Sequence, residues 1–429
     1  MTTVFAEGAP DRTIDEETMR AAVRAAIDLA GEASSALVLP PDITRFHSGA
    51  GPLTRLLWDE LTPAAAVDVM PTLGTHFPMT SDERLRMYGE TIPADVFKEH
   101  NWREELVRLG AVPADYVHEV SGGCLRDFMP DFDVPVEINA RLVGGGYGAI
   151  FSVGQVVPHE VIGMANGIKN ILVGAGGRET INKSHFLGAV YGMERIMGRT
   201  DTPVRDVLNY AAERYLPPLG IVYILTVIGP DDAGRMAMRG LFVGDDHATF
   251  ARAAALSQQV NVTLLDGPAE RVVAYLEPGE FKSTWLGNKA VYRTRMLIAD
   301  GGELTILAPA VKTFGEDPEI DRLIRRFGYR GTPATLDATA RHAELRDNLS
   351  AAAHLIHGSS EGRFRIVLAT DPSLLSREEA ESVGFAWRPV AGALEEFDPA
   401  ALRDGPNDGF YYVSNPALGL WAVRDKFGP

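Results

Sequence analysis

The chain has 429 residues, 45% of them hydrophobic and 23% charged, and a net charge of -17 at pH 7. That length exceeds one ordinary core and predicts about two or three domains of globular composition. The negative balance argues against a nucleic-acid binder that depends on phosphate contacts, and fits a protein kept apart from its own copies by charge.

One cysteine, Cys124, excludes a disulfide framework or a cysteine-based zinc site within the chain. A bound metal must therefore draw on His, Asp or Glu, or on a ligand that arrives with a cofactor. The stretch MTTVFAEGAPDRTIDEETM has neither a basic segment nor an apolar core, so no signal peptide is expected. No run reaches the ~20 apolar residues of a membrane span. A cytoplasmic protein with neither membrane nor nucleic acid as partner is expected.

In chain order, residues 14–31 carry apolar positions near a 3.6 period, acids at the start and Gly31 at the end, which predicts an amphipathic helix. SALVLPPD reads as a buried strand ending at Asp42, ITRFHSGAG as a loop and PLTRLLWDEL as a helix. AAAVDVMPTLG reads as a second strand, GTHFPMT as its loop, and SDERLRMYG as a helix capped at Ser81. Both loops lie where open α/β sheets place their ligands, between a strand and the next helix. Residues 93–110 are predicted helical, VHEVSGG and PVEINARLV as strands, GGGYG as a turn, and AIFSVGQVVPHE as strand into loop. Residues 179–196 and 204–215 read as helices, IVYILTVIGP as a central strand and HATFARAAALSQQV as a helix.

A boundary is predicted near 262–278. The larger N-terminal α/β domain spans 1–265 and a smaller one 275–408, with a cofactor and substrate cleft between them. The tail 409–429 is read as a segment that packs back on the first domain. In the second domain FKSTWLGNKAVYRTRMLI, DPEIDRLIRRFG and LDATARHAELRDNLSAAAHLIHG read as helical, and ELTILAPA and RFRIVLAT as strands.

The stretch Pro158–His185 gathers His159, Lys169 and His185 among Gly163, Gly167, Gly174, Gly176 and Gly177. Pro158 restricts the residue before it to extended backbone. Glycine lets backbone approach a ligand and leaves amides able to face an anion. GAGGRET before a helix is thus either a phosphate cradle, with Thr180 or the helix amides as donors, or a tight turn. Lysines are few, and one set between Gly167 and an apolar ILV run is a candidate for a covalent bond to a carbonyl-type cofactor.

These residues resemble the nickel-pincer lactate racemase family. Pro158-His159, Gly163, Gly167, Lys169 and His185 match its central pattern. PDITR matches an upstream motif at Asp42, Thr44 and Arg45, and Gly74-Thr75-His76 matches a second. Lys289 in WLGNKA falls on a substrate-binding lysine. The four motifs fall in order over most of the chain.

The resemblance implies an isomerase, a racemase or C2-epimerase of 2-hydroxy acids. Its cofactor would be the nickel-pincer nucleotide, a pyridinium-3,5-bisthiocarboxylic acid mononucleotide made by other proteins and tethered to Lys169. Ni(II) would be held by the cofactor's sulfur–carbon–sulfur donors and by His185; soft sulfur plus one imidazole in tetragonal geometry suits that ion. It also implies that His76 and His159 are the acid/base pair of a reversible hydride transfer, a task for which imidazole is suited near neutral pH. Arg45 and Lys289 would neutralise carboxylate or phosphate, arginine with the better bidentate grip. Asp42 would orient a histidine or a ribose hydroxyl, or merely open the loop as an Asx turn.

The chain also departs from the family. Trp285 and Leu286 stand where Tyr-Gln is usual, Phe77 where arginine is common, and Met164 and Asn166 where Phe and a small residue are usual. A tryptophan of the family's second domain falls on Leu349. The changes imply a substrate other than lactate, either a bulkier 2-hydroxy acid or a sugar acid. Phe77 and Trp285 read equally well as core aromatics.

Other positions have plain readings. Cys124 is a partly buried thiol, and His47, close after Arg45, is a loop histidine or a further member of the site. His342, His354 and His357 lie on helical sequence; the last two, at i and i+3, are a metal pair or a half-exposed helix end. Asp245-Asp246-His247 is a cation site or an acidic helix start. Two other functions stand beside the leading one. The first is a metal hydrolase or lyase ligated directly by His76, His159 and His185. The second is a non-catalytic chain that carries the cofactor.

Overall fold

Two six-stranded sheets organise the chain in the computed structural model, which describes residues 2–74, 76–231 and 234–427. The fold is mixed α/β. Contacts divide it into one unit of Met1–Ser184 with Met197–Asn261, and another of His185–Ile196 with Val262–Pro429. No helix among the described residues is long and apolar enough to cross a membrane.

The first unit holds β1 (Thr3–Gly8), β2 (Ser35–Leu39), β3 (Ala66–Val69), β4 (Leu106–Val112), β5 (Val134–Asn139), β6 (Ala149–Gln155), β7 (Pro158–His159), β8 (Gly163–Met164), β9 (Ile221–Pro230) and β10 (Met236–Gly244). Its main sheet runs β1-β10-β9-β6-β2-β3. The four strands from β9 to β3 are parallel, and β10 and β1 add antiparallel pairs at one edge. β9 buries Val222, Ile224, Leu225, Val227 and Ile228, a run that alternation would not give, because both its faces are covered. Each such side chain contributes about 1.5–3 kcal/mol on burial. The helix Glu16–Ala30 begins where Asp15 accepts a hydrogen bond from the Thr18 amide and stops at Gly31, whose φ is 77°. It buries Ala22, Val23 and Ala26 in the core shared with β2, β3, β6 and β9.

The second unit holds β11 (Val262–Leu265), β12 (Ala269–Tyr275), β13 (Ile298–Ala308), β14 (Arg365–Thr370), β15 (Ala386–Pro389), β16 (Gly405–Asn407), β17 (Phe410–Val413) and β18 (Leu420–Val423). Its sheet runs β15-β14-β13-β12-β17-β16, parallel except for β16. Residues 185–196 cluster here for a visible reason. Glu194 accepts from Arg295 Nε at 2.9 Å and from Arg363 at 2.7 Å. Arg295 is buried and also reaches the carbonyls of His357 and Ser359.

Several expectations are corrected. Residues 93–110 form only a short 3-10 turn, Ala94–Val96, before β4, which finds its partner in β5. VHEVSGG is not a strand; Ala114–Val120 is helical and turns follow it. The helix read from Ser81 is capped by Thr80, which forms a reciprocal capping box with Glu83. FKSTWLGNKAVYRTRMLI yields two short helices, Thr284–Gly287 and Lys289–Thr294, rather than one. The tail pairs within the second unit, β17 with β12 and β18 with β11.

Candidate active site

In the first sheet β2 and β6 are neighbours, and the chain leaves β2 toward β3 but leaves β6 toward β9, in opposite directions. That reversal opens a crevice beyond the carboxyl ends of the strands. Asp42 follows β2, His76 follows β3 and His159 follows β6. Three of the predicted residues thus sit at the ends of three neighbouring strands. Thr75 lies outside the described residues.

Asp42 is buried, and its two oxygens do different work. Oδ1 accepts from the Thr44 amide and hydroxyl, starting the 3-10 turn Ile43–Ser48. Oδ2 lies 2.7 Å from His76 Nδ1. Both sequence readings of Asp42, turn opener and histidine orienter, therefore hold at once. Burial alone would raise the Asp42 pKa, but the hydrogen bond and charge of His76, with Thr44 and Arg45, outweigh it and hold the carboxyl below its ordinary value. An ionised carboxylate only accepts, so His76 Nδ1 carries a proton, and in the neutral ring Nε2 keeps its lone pair. The His76 side chain is 43% exposed, so that lone pair is available to a ligand.

His159 is built the other way. It is buried on β7, which pairs antiparallel with β8. The Val161 amide donates to His159 Nδ1 at 3.2 Å, and the Glu160 carboxylate lies 4.0 Å from the same nitrogen, beyond hydrogen-bond reach. The ring proton is then on Nε2. The two predicted histidines hold opposite tautomers.

Lys169 is half-buried, and no hydrogen bond or ion pair engages its amine among the described residues. Its pKa is pushed down to about 8, first by burial and then by the charge of Arg45. An amine that is substantially neutral near pH 8 is a competent nucleophile, so the residue fits a covalent tether. Arg45 is half-buried, and its guanidinium too makes no ion pair among the described residues.

The position of Lys169 depends on a neighbour that the sequence did not single out. Asn170 is buried; its amide donates to the Leu39 carbonyl at 3.1 Å and to Ser152 Oγ at 2.9 Å, and its oxygen accepts from Thr72 at 2.8 Å. It joins the end of β2, the middle of β6 and the loop after β3. Buried His100 is a second unforeseen support. Its Nε2 donates to the Gly176 carbonyl at 3.1 Å, and Asn139 donates to its Nδ1 at 3.1 Å. Burial pushes its pKa down to about 4.

The glycine turn does not fit an anion cradle. The Gly176 and Gly177 amides donate to the Val173 and Glu137 carbonyls. Thr180 accepts from the Glu137 amide and donates to the Pro135 carbonyl. A Cβ at Gly176 would run into the Leu172 carbonyl, one at Gly177 would lie 2.6 Å from the Glu137 carboxylate, and one at Gly174 2.8 Å from Asn170 Oδ1. Close packing accounts for these glycines, and Glu137 would repel a phosphate there.

His185 lies half-buried on the helix Arg178–Tyr191. Phe77 is 70% exposed and so is no core aromatic. Met164 is in the core, and Asn166 takes a φ of 66°, a left-handed conformation that asparagine tolerates. His47 is exposed and edge-on to Phe46. Asp246 caps its helix through Thr249, as the plainer reading had it. Among the described residues no group of three or more His, Cys, Asp or Glu stands ready to hold a metal.

In the second unit Trp285, Leu286 and Lys289 are half-buried on the short helices, and Leu349 is buried. His354 and His357 are buried too, neither a metal pair nor half-exposed. His354 lies between the hydroxyls of Tyr292 (2.7 Å) and Tyr329 (3.0 Å).

No family model matches the chain, and no curated protein does. Solved structures do. A protein from Thermotoga maritima, solved as a structural-genomics target, superposes with a TM-score of 0.81 at 23% identity, covering 97% of this chain and 100% of its own. The lactate racemase apoprotein from Thermoanaerobacterium thermosaccharolyticum superposes with a TM-score of 0.70 at 17% identity, covering 94% and 92%. At these identities the likeness establishes a shared fold.

Proposed function

We propose that this chain is a cytoplasmic isomerase, a racemase or C2-epimerase of a 2-hydroxy acid other than lactate, working with a nickel-pincer nucleotide supplied by cofactor-making proteins. The observation that carries the reading is the Asp42–His76 pair at the ends of adjacent parallel strands, with an unengaged Lys169 amine that feels the charges of Arg45 and Asp42. It occurs on a fold shared with a lactate racemase apoprotein.

In this reading Lys169 holds the nucleotide and His185 is the protein's nickel ligand. When bound, that group supplies a reversible acceptor for the C2 hydride. The remaining work falls to the chain. His76 takes the substrate hydroxyl proton at Nε2, while buried Asp42 keeps Nδ1 protonated and balances the charge that develops on the ring. His159 begins with its proton on Nε2, so the pair starts with one acceptor and one donor at the same ring position. Arg45 supplies a cation for the carboxylate, and Lys289 another. The glycine turn is assigned to support of the Lys169 loop, not to phosphate.

The test is co-production with the cofactor-making enzymes, then intact mass and nickel analysis. A Lys169 adduct with nickel, lost in Lys169→Ala, is expected. A bare chain holding zinc would favour direct histidine ligation instead. Racemisation of C2-deuterated substrate should keep the label at C2; complete washout into solvent would refute internal hydride return. A loaded chain that turns over no 2-hydroxy acid would be a carrier of the cofactor.

A further inference from the structure

The first unit contains a cavity of about 140 Å³ that is lined by none of Asp42, His76, His159 and Lys169. One wall is the segment after β3, with Pro71, Leu73, Pro78 and Met79; the other is residues 97–100, joined by Arg84 of the helix Ser81–Tyr88. Both walls hang from the glycine turn. The Gly74 amide donates to the Gly174 carbonyl at 2.8 Å, and buried His100 donates to the Gly176 carbonyl at 3.1 Å. The second wall is also stitched to the sheet, since Val69 bridges to Phe97 and the Lys98 amide donates to the Val69 carbonyl at 2.8 Å. His76 stands between Leu73 and Pro78 on the first wall, with its amide bonded to the Leu73 carbonyl at 2.9 Å.

Of the titratable side chains that line the cavity, Lys98 and His100 are engaged. Lys98 Nζ lies 3.1 Å from the Asp68 carboxylate and donates to the Asp95 carbonyl at 3.1 Å. His100 is bonded at both ring nitrogens. Arg84 and Glu99 differ: neither is in an ion pair among the described residues, with each other or with any third group. The half-buried Arg84 guanidinium is placed by Ser81 Oγ, at 3.2 Å, and by the Phe97 ring, whose centroid lies 5.4 Å away. Glu99 is exposed. The cavity therefore offers one unpaired cation, one unpaired anion and an apolar lining of proline, leucine, methionine and phenylalanine.

Size and charge together select an occupant. Sites for cofactors and drug-sized ligands run to about 300–1,000 Å³, so this one takes a small metabolite and excludes a nucleotide. A simple anion would meet Arg84 but be repelled by Glu99, and a simple cation the reverse. A molecule that carries both charges close together beside a short apolar group suits every part of the lining. We propose that the cavity binds a small aliphatic α-amino acid, its carboxylate toward Arg84, its ammonium toward Glu99 and its side chain among Leu73, Met79 and Phe97, and that the bound molecule braces the loop carrying His76. Charge-assisted hydrogen bonds of both signs give the selectivity, because loss of either charge leaves a partner unpaired. The occupant joins the two walls, so the loop loses freedom while Asp42 and Lys169 are untouched. The proposal stands whether or not the chain is a racemase.

The experiment uses the cofactor-free full chain and three probes of one carbon skeleton: L-valine, 3-methylbutanoate, which lacks the ammonium, and 2-methylpropylamine, which lacks the carboxylate. Isothermal titration should show L-valine binding at least tenfold more tightly than either truncated probe. Arg84→Ala and Glu99→Ala should each weaken it at least tenfold, Arg84→Lys and Glu99→Asp by less, and Arg45→Ala not at all. An unchanged melting temperature in the two alanine variants would show that the loss is one of contacts, not of folding; if either unfolds, the lysine and aspartate variants decide. Hydrogen exchange at the Gly74 and His76 amides should slow with L-valine in the wild type and not in Arg84→Ala. No binding of L-valine, equal binding of the truncated probes, or affinity unchanged in the Arg84 and Glu99 variants overturns the site. Affinity lost in Arg45→Ala instead would put the amino acid at the strand ends and overturn it too. Binding without slower exchange at Gly74 and His76 overturns the bracing of the loop.

Discussion

The loops after β2, β3 and β6 and the layer around His354 are both built from buried polar groups, yet they end differently. Around His354 the run of donors, through Tyr329 and Thr284, closes on the Phe314 carbonyl, and the half-buried indole of Trp285 stacks on the ring. At the strand ends the network stops short: Asp42 and Asn170 are fully engaged, but His76 Nε2 and the Lys169 amine are held out by them. A closed network specifies shape, whereas an open one presents chemistry. The same contrast holds inside the pair of histidines, where a carboxylate faces one ring and a backbone amide the other.

Breaking the open network should cost most. Lys169→Ala should remove the cofactor adduct in intact mass and with it all activity, while thermal unfolding shifts little. Asp42→Asn retains an oxygen to cap Thr44 but cannot balance an imidazolium; turnover should fall about 100-fold or more with little change in KM or melting temperature. Asn170→Ala tests the support itself. It removes the bonds to Thr72, the Leu39 carbonyl and Ser152 and should cost about 2–3 kcal/mol, read as a fall of roughly 5–10 °C in Tm.

His100 gives a pH signature. Its folded pKa of about 4 lies below the value near 6.5 of an unfolded histidine. The unfolded chain therefore binds the extra proton between those values. The contribution of neutral His100 is complete above about pH 6.5 and is lost as pH falls toward 4, up to about 3 kcal/mol in all. His100→Gln, followed by urea unfolding from pH 4 to 7, should flatten that slope. The smallest effect is kinetic: labelling of Lys169 by an amine-directed reagent should rise with pH about a midpoint near 8, well below that of the exposed lysines. A midpoint near 10.5 would show the amine to be ordinary.

Much of this was legible where the determinants are local. The helix ending at Gly31 and the doubly covered β9 follow from capping and from an unbroken apolar run. Residues 93–110 did not, because good helix formers there yield to pairing of β4 with a strand some thirty residues on. Asp42, His76, His159 and Lys169 were found by motif, and the first two prove to be in contact. Asn170 and His100 carry no local signal, since their partners Thr72 and Gly176 lie 98 and 76 residues away. Gly174, Gly176 and Gly177 misled for the opposite reason. A glycine needed for close packing and one needed for a ligand look the same in a sequence.

The bonds of Asn170 to the Leu39 carbonyl and to Ser152 have a further consequence. They fix the address of the neighbouring amine on β2 and β6 of the sheet itself, with Thr72 just past β3 as the third point. The outer parts of the connections beyond β2 and β3, past Thr72, can therefore lengthen, shorten or change composition while the attachment point keeps its place. Such a scaffold is modular: chemistry is inherited with the strands, and recognition can diversify loop by loop.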